Sequence, residues 1–195
     1  MLLARSIECF TQYLTNSDKS RQTVKGYSIE LRQLSDFLSN RYNGPVYLDE
    51  ITLPDLESYI LCLRDKGNST SSRNRSIYII RSFYNFCYRK EYIHKNPSLN
   101  LEILQCTEKE RIFLNENEMD KLISAASSPL IKTIITTLYY TGMRVSECVN
   151  LSVKDVDLDS GIISVRNTKN KKDRQIPINR KLLPVLEHYY SKERK

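Results

Sequence analysis

Hydrophobic residues in this chain change their period beyond Asn150. From Ile7 to about Asn150 they recur at the three-and-four spacing of amphipathic helices; around Ile162–Ile178 they alternate with polar residues. Side chains three or four apart share one face of a helix, and side chains two apart share one face of a strand. The chain is therefore expected to be mainly α-helical with a small antiparallel β-sheet.

Start and stop signals divide the helical part. Ile7, Phe10, Tyr13 and Leu14 predict a first helix over Ser6–Leu14, and Val24, Tyr27, Leu31, Leu34, Phe37 and Leu38 a second over Arg21–Tyr42, stopped by Asn43-Gly44-Pro45. Thr52 as N-cap and Pro54 in the first turn open a third, running to about Lys66. Ser69 or Ser71 opens a fourth, running to about Tyr92 with Ile77, Ile80, Phe83, Tyr84 and Cys87 on one face, before Asn96-Pro97. Four helices on short loops predict a small bundle over residues 1–100. Residues 101–113 have mixed charge and weak periodicity and read as a linker.

A second pattern covers residues 114–195. Asn115 caps a short helix with Glu116 and Glu118 in its first turn. Pro129 opens another over Leu130–Tyr140, apolar on nearly every side and so expected to be buried; Gly142 ends it, and Val145–Asn150 forms one more. Val153–Asp157, the residues around Ile162–Val165, and Gln175–Ile178 predict three short strands, with a basic turn at Asn167–Arg174. A last helix is expected from Leu182 to about Lys192.

Composition excludes several classes. No apolar run reaches the length of a membrane span, and the first residues lack the apolar core of a secretory signal. The five cysteines are scattered with no metal-ligand spacing, so neither a metal nor a disulfide framework is expected, and they read as small core residues of a cytoplasmic protein. The net charge of +7 is uneven: from Ile163 to Lys195 ten Lys/Arg face three acids, which accounts for all of it. A basic stripe on an otherwise neutral chain points to a polyanion such as nucleic acid, though a solubilising tail has the same charge.

The chemistry concentrates at Arg144. It follows the Thr141-Gly142 turn at the start of a short helix, with Glu147 one turn away on the same face. A planar guanidinium held by a carboxylate suits two-point contact with a phosphate. On its own this spacing is also that of a common surface ion pair. The basic stretch Lys169, Lys171, Lys172, Arg174 lies about 25 residues downstream, and a lysine on such a hairpin can reach over a bound polyanion and give a proton to a leaving hydroxyl. Non-specific phosphate contact is the favoured reading for Lys171, Lys172 and Arg174.

Thr141–Val156 (TGMRVSECVNLSVKDV) resembles the first-arginine box of the tyrosine recombinase (phage integrase) family, Xer-like in style, and Thr168–Ile178 (TKNKKDRQIPI) resembles its lysine hairpin. Thr23–Tyr27 (TVKGY), Arg75–Tyr84 (RSIYIIRSFY) and Asn96-Pro97 resemble its helical core-binding domain. The resemblance implies a four-helix SAM-like core-binding domain followed by the N-terminal part of an α+β catalytic domain. It implies a clamp around double-stranded DNA, other recombinase subunits as partners in a tetramer, and no cofactor. It also implies strand cleavage and rejoining through a 3′-phosphotyrosine. Arg144 would bind the scissile phosphate, Glu147 would buttress it, and Lys169, with Lys171 as the alternative, would be the general acid. Thr23, Lys25, Ser71, Ser72, Arg73, Arg75 and Arg81 would face the DNA.

The family pattern also calls for a His-x-x-Arg box and a tyrosine nucleophile after the hairpin. The histidines here are His94 and His188, and neither begins such a box. Tyr189 and Tyr190 follow the hairpin too closely to be the nucleophile and read as packing aromatics. The chain is thus expected to correspond to the front of a recombinase, to bind DNA without cutting it, and to expose apolar surface over Leu130–Tyr140 that favours self-association. A non-cleaving DNA-binding module, or competitor at recombination sites, is the alternative.

Overall fold

The computed structural model describes residues 1–106, 110, 112–166 and 173–193. It is mainly α-helical with one small antiparallel sheet, as the change of period predicts. Two compact units are present, Met1–Lys109 and Glu110–Lys195.

In the first unit, α1 (Leu3–Asn16), α2 (Arg21–Tyr42), α3 (Leu53–Asp65) and α4 (Thr70–Arg89) pack into a bundle. Leu31, Leu34, Leu38, Leu56, Ile77, Ile80 and Phe83 are fully buried, with Phe10 and Tyr59 almost so. Each is apolar and set at helical spacing, so burying one face of each helix supplies the driving force. Thr52 and Ser69 stand at the N-caps of α3 and α4 as the sequence predicts, and Ser20, which the sequence reading did not name, caps α2. Ser20 Oγ accepts from the Thr23 N–H and Ser69 Oγ from the Ser72 N–H, both at 3.2 Å. The Asp55 carboxylate accepts from the Thr52 N–H at 2.9 Å.

Residues 101–106 form no helix or strand, yet they are tied along α4. The Asn74 side-chain amide donates to Leu104 O and its carbonyl accepts the Leu104 N–H, each at 2.8 Å. Arg81 Nη2 donates to Leu101 O at 2.7 Å, and Ser71 Oγ lies 3.2 Å from Cys106 Sγ. The segment runs antiparallel to the helix, and buried Leu101 joins the bundle core. Cys106 is exposed, which departs from the reading of all five cysteines as core residues; Cys87 and Cys148 are buried.

In the second unit α5 (Glu116–Ala125) and α6 (Pro129–Thr141) lead into the short α7 (Val145–Val149). The sheet follows as β1 (Val156–Asp157), β2 (Ile162–Val165) and β3 (Arg174–Pro177), in that order, with Ile163 opposite Ile176 and Val165 opposite Arg174. Residues 153–155, expected to begin the first strand, form a 3-10 turn instead. The helix α8 (Leu183–His188) continues into a π-helical turn, Tyr189–Glu193, where Tyr189 and Tyr190 meet edge to face. Met143, Cys148, Ile163, Val165, Leu182 and Leu186 are the buried centre of this unit.

The α6 helix is not buried all round as its own composition predicts, and it shows instead the exposed apolar surface expected over Leu130–Tyr140. Of its residues only Thr136 and Thr137 are buried, while Leu130 and Ile131 are 47% and 48% exposed. An all-round apolar helix predicts cover on every side. The elements that make its main contacts, α5, α7, α8 and the final turn, leave that flank open.

Candidate functional site

The site begins where α6 ends. Gly142 takes a left-handed conformation (φ 62°), open to glycine at little cost, and its N–H closes on Leu138 O at 2.9 Å. Met143 is buried and anchors the turn. Arg144 is then the N-cap of α7, in extended conformation, with its side chain leaving the turn.

Glu147 sits one turn into α7 and holds Arg144 at two points. It accepts the Arg144 backbone N–H at 2.9 Å through Oε2 and the guanidinium Nη1 at 2.7 Å through Oε1. Arg174, at the start of β3, approaches the same carboxylate: Nη2 lies 2.8 Å from Oε2 and Nη1 3.3 Å from Oε1. Each carboxylate oxygen therefore accepts twice. The Glu147 side chain is only 6% exposed, while those of Arg144 and Arg174 are 53% and 39% exposed.

The electrostatics follow from this arrangement. Hydrogen bonding from Arg174, then from the Arg144 backbone and side chain, lowers the Glu147 pKa to about 2 against the opposing effect of burial. The carboxylate is ionised at neutral pH, and the three side chains together carry one net positive charge. Arg144 commits Nη1 to Glu147 and keeps more than half of its side chain in solvent. The arrangement is a cation held in a fixed orientation, suited to a phosphate oxygen.

The other sequence-predicted residues fall as follows. Lys169, Lys171 and Lys172 lie outside the described residues. Thr23 and Ser72 take part in the caps of α2 and α4, where their hydroxyls meet Ser20 and Ser69. Lys25 and Arg75 are exposed. Gly26 brings α2 against Arg75: a Cβ there would lie 2.7 Å from Arg75 Nη2. Arg73 is half-buried, with Nη2 3.4 Å from Thr70 Oγ1. Ser71 and Arg81 contact the 101–106 segment. Two features escaped the sequence reading. Asn74 binds a backbone 30 residues away, for which no local signal exists. The pairing of Arg174 with Glu147 had one faint signal, since Arg174 shares a strand face with core-packed Ile176.

No group of His, Cys, Asp or Glu among the described residues is arranged to hold a metal ion, and no helix among them is long and apolar enough to cross a membrane.

Comparison with known proteins agrees with this division. Residues 7–91 match the phage integrase N-terminal SAM-like domain, and residues 112–195 match the phage integrase family. The chain is 34% identical over 194 residues to a tyrosine recombinase XerC of Oceanobacillus iheyensis, covering 96% of this chain and 63% of that protein. It is 30% identical over 197 residues to a tyrosine recombinase of Thermosipho africanus, covering 96% of this chain and 67% of that protein. Among solved structures, a lambda integrase dimer bound to a COC′ core site superposes with a TM-score of 0.78 at 17% identity, over 91% of this chain and 62% of that one. The Tn1549 transposon integrase with a circular intermediate DNA gives 0.78 at 20% identity, over 100% of this chain and 66% of that one. At those identities the likeness is one of fold. The chain spans 63% and 61% of the length of the first two recombinase relatives.

Proposed function

We infer function from one premise: this chain belongs to the phage integrase family of tyrosine recombinases. Our reading is that it binds double-stranded DNA as part of site-specific recombination, with Arg144 on the non-bridging oxygens of a phosphate. The observation that carries it is the Arg144–Glu147 pair, a half-exposed guanidinium fixed at two points at the start of α7.

In the full reaction of such an enzyme a tyrosine attacks the scissile phosphate, and the leaving 5′ oxygen takes a proton. Negative charge builds on the phosphate oxygens as the attack proceeds, and a guanidinium already oriented stabilises it without reorganising. Lys169, or Lys171, is the candidate proton donor, and Glu147 is the group that keeps Arg144 in place. The 195 residues contain neither a His-x-x-Arg box nor a tyrosine at the expected distance beyond the hairpin.

The DNA-facing set in the first unit is Thr23, Lys25, Ser71, Ser72, Arg73, Arg75 and Arg81. Lys25 and Arg75 are the strongest members because both are charged and exposed. Lys171 and Lys172 extend the set in the second unit, whereas Arg174, grouped with them in the sequence, is turned to Glu147. The solved relatives bound to DNA include a lambda integrase dimer on a core site and a tetramer on a Holliday junction. By analogy, further recombinase subunits are the proposed protein partners, and the cytoplasm is the proposed compartment.

Fluorescence anisotropy with labelled duplex DNA across a salt series tests the reading. Binding should weaken as salt rises, because phosphate contacts release counterions. Arg144→Ala and Arg75→Ala should each weaken it and lower the salt slope by about one. No binding at low salt, or binding unchanged by Arg144→Ala, would remove DNA contact from this site.

A further inference from the structure

We propose that Arg174 is a positioning residue that acts on the phosphate site through Glu147, and not a DNA contact in its own right. The inference rests on the reading of Arg144 as a phosphate clamp and adds a group that holds the clamp.

The geometry argues for it in three ways. First, both terminal nitrogens of Arg174 are engaged by one carboxylate, at 2.8 and 3.3 Å. A planar guanidinium that faces a carboxylate with both arms presents its fork to that partner and not to a phosphate elsewhere. Second, the carboxylate is filled. Glu147 accepts two bonds from Arg144 and two from Arg174, so neither arginine can leave without breaking bonds to a side chain that is almost wholly buried. Third, Arg174 starts β3 opposite buried Val165 and two residues before Ile176, which packs on the core. Alternation along the strand therefore puts Arg174 on the core side of the sheet, toward α7.

The consequence is mechanical. Glu147 alone could swing about its own side-chain torsions. Bonded from a strand and from a helix start, it is fixed by two elements, and Arg144 inherits that order. Arg174 also follows the candidate lysines closely in sequence. One carboxylate thus joins the arginine helix to the strand that continues from the lysine stretch.

Arg174→Lys separates this role from direct contact. A lysine keeps the charge that a phosphate would feel, but it cannot bond both carboxylate oxygens in the plane of a fork. DNA affinity of the full chain should fall several-fold in Arg174→Lys and in Arg174→Gln alike, and both losses should disappear when Arg144→Ala is already present. Retained affinity in Arg174→Lys would overturn the proposal. So would an Arg174→Gln loss of the same size with and without Arg144, accompanied by a salt slope lower by about one. A failure of the phosphate reading itself shows separately, in the single Arg144→Ala variant. A measurement without DNA guards against a variant that binds poorly for other reasons. The Glu147 carboxyl, followed by carbon NMR, should titrate near 2 in the parent chain and move up toward the ordinary carboxyl range in Arg174→Lys. A midpoint that does not move would also overturn the proposal.

Discussion

The carboxylate of Glu147 accepts hydrogen bonds from both terminal nitrogens of Arg174, a residue 27 positions later in the chain and on a different element. The same carboxylate holds the backbone and side chain of Arg144. A helix of five residues is too short to be stable by itself, so its start is fixed by tertiary partners more than by helical propensity. The ion-pair triad is that partner, and it puts the candidate phosphate-binding arginine where two elements meet.

This arrangement has a pH signature. The folded pKa of Glu147 is about 2, below its unfolded value of roughly 4.3. A group with a depressed folded pKa contributes stability that is fully present above the unfolded value and is lost as pH falls through the folded one. The contribution of Glu147 should therefore fade between about pH 5 and pH 2. Thermal melts over that range should fall less steeply in Glu147→Gln than in the parent chain. Parallel curves would show that the carboxylate is no better held in the folded state than in the unfolded one.

Asp55 plays a comparable role in the first unit. It caps α3 through the Thr52 N–H at 2.9 Å and hydroxyl at 2.6 Å, accepts the Tyr42 hydroxyl at 2.9 Å, and lies 3.3 Å from Arg41 Nε. Burial acts to raise its pKa, but the bonds from Thr52 and Tyr42 and the charge of Arg41 together outweigh it and leave the pKa lowered. Asp55→Ala removes the carboxylate half of the α3 capping box together with its bonds to Tyr42 and Arg41, so a loss of about 2 kcal/mol is expected in urea unfolding. A change below about 0.5 kcal/mol would mean that water replaces the carboxylate without cost.

Much of the fold was legible because its signals are local. Thr52, Ser69 and Asn115 stand at the starts of α3, α4 and α5, and the apolar stripe of each helix lies within its own sequence. The unread parts depend on residues far apart. The 101–106 segment has no period of its own, because Asn74 and Arg81 on α4 satisfy its backbone. At the candidate site, the Arg144–Glu147 spacing announces its own pair. The Glu147–Arg174 pair depends on strand register and on the packing of β3, so Arg174 read only as one more basic residue.

Gly26 offers a test that separates stability from DNA contact. It lies inside α2, where alanine is favoured over glycine by roughly 0.5–1 kcal/mol. A Cβ would come within 2.7 Å of Arg75 Nη2, the far end of an exposed and flexible side chain that can move aside. Gly26→Ala should therefore raise the melting temperature while displacing the Arg75 guanidinium. If Arg75 contacts phosphate, DNA affinity should fall in the same variant. A lower melting temperature would show that Arg75 is held too firmly to yield.

The Asn74 pairing predicts a local effect with little change elsewhere. Its amide and carbonyl imitate a neighbouring strand, giving Leu104 both a donor and an acceptor at 2.8 Å. Asn74→Asp keeps the acceptor for the Leu104 N–H and removes the donor to Leu104 O, whereas Asn74→Ala removes both. With each such bond contributing about 1 kcal/mol, Asn74→Ala should release the segment by about 2 kcal/mol and Asn74→Asp by roughly half of that. Hydrogen exchange at the Leu104 amide reads this directly. It should be slow in the parent chain, intermediate in Asn74→Asp and fast in Asn74→Ala, while the amides of α1 and α3 stay protected. Equal protection of Leu104 in all three would show that burial of Leu101, and not Asn74, holds the segment on α4.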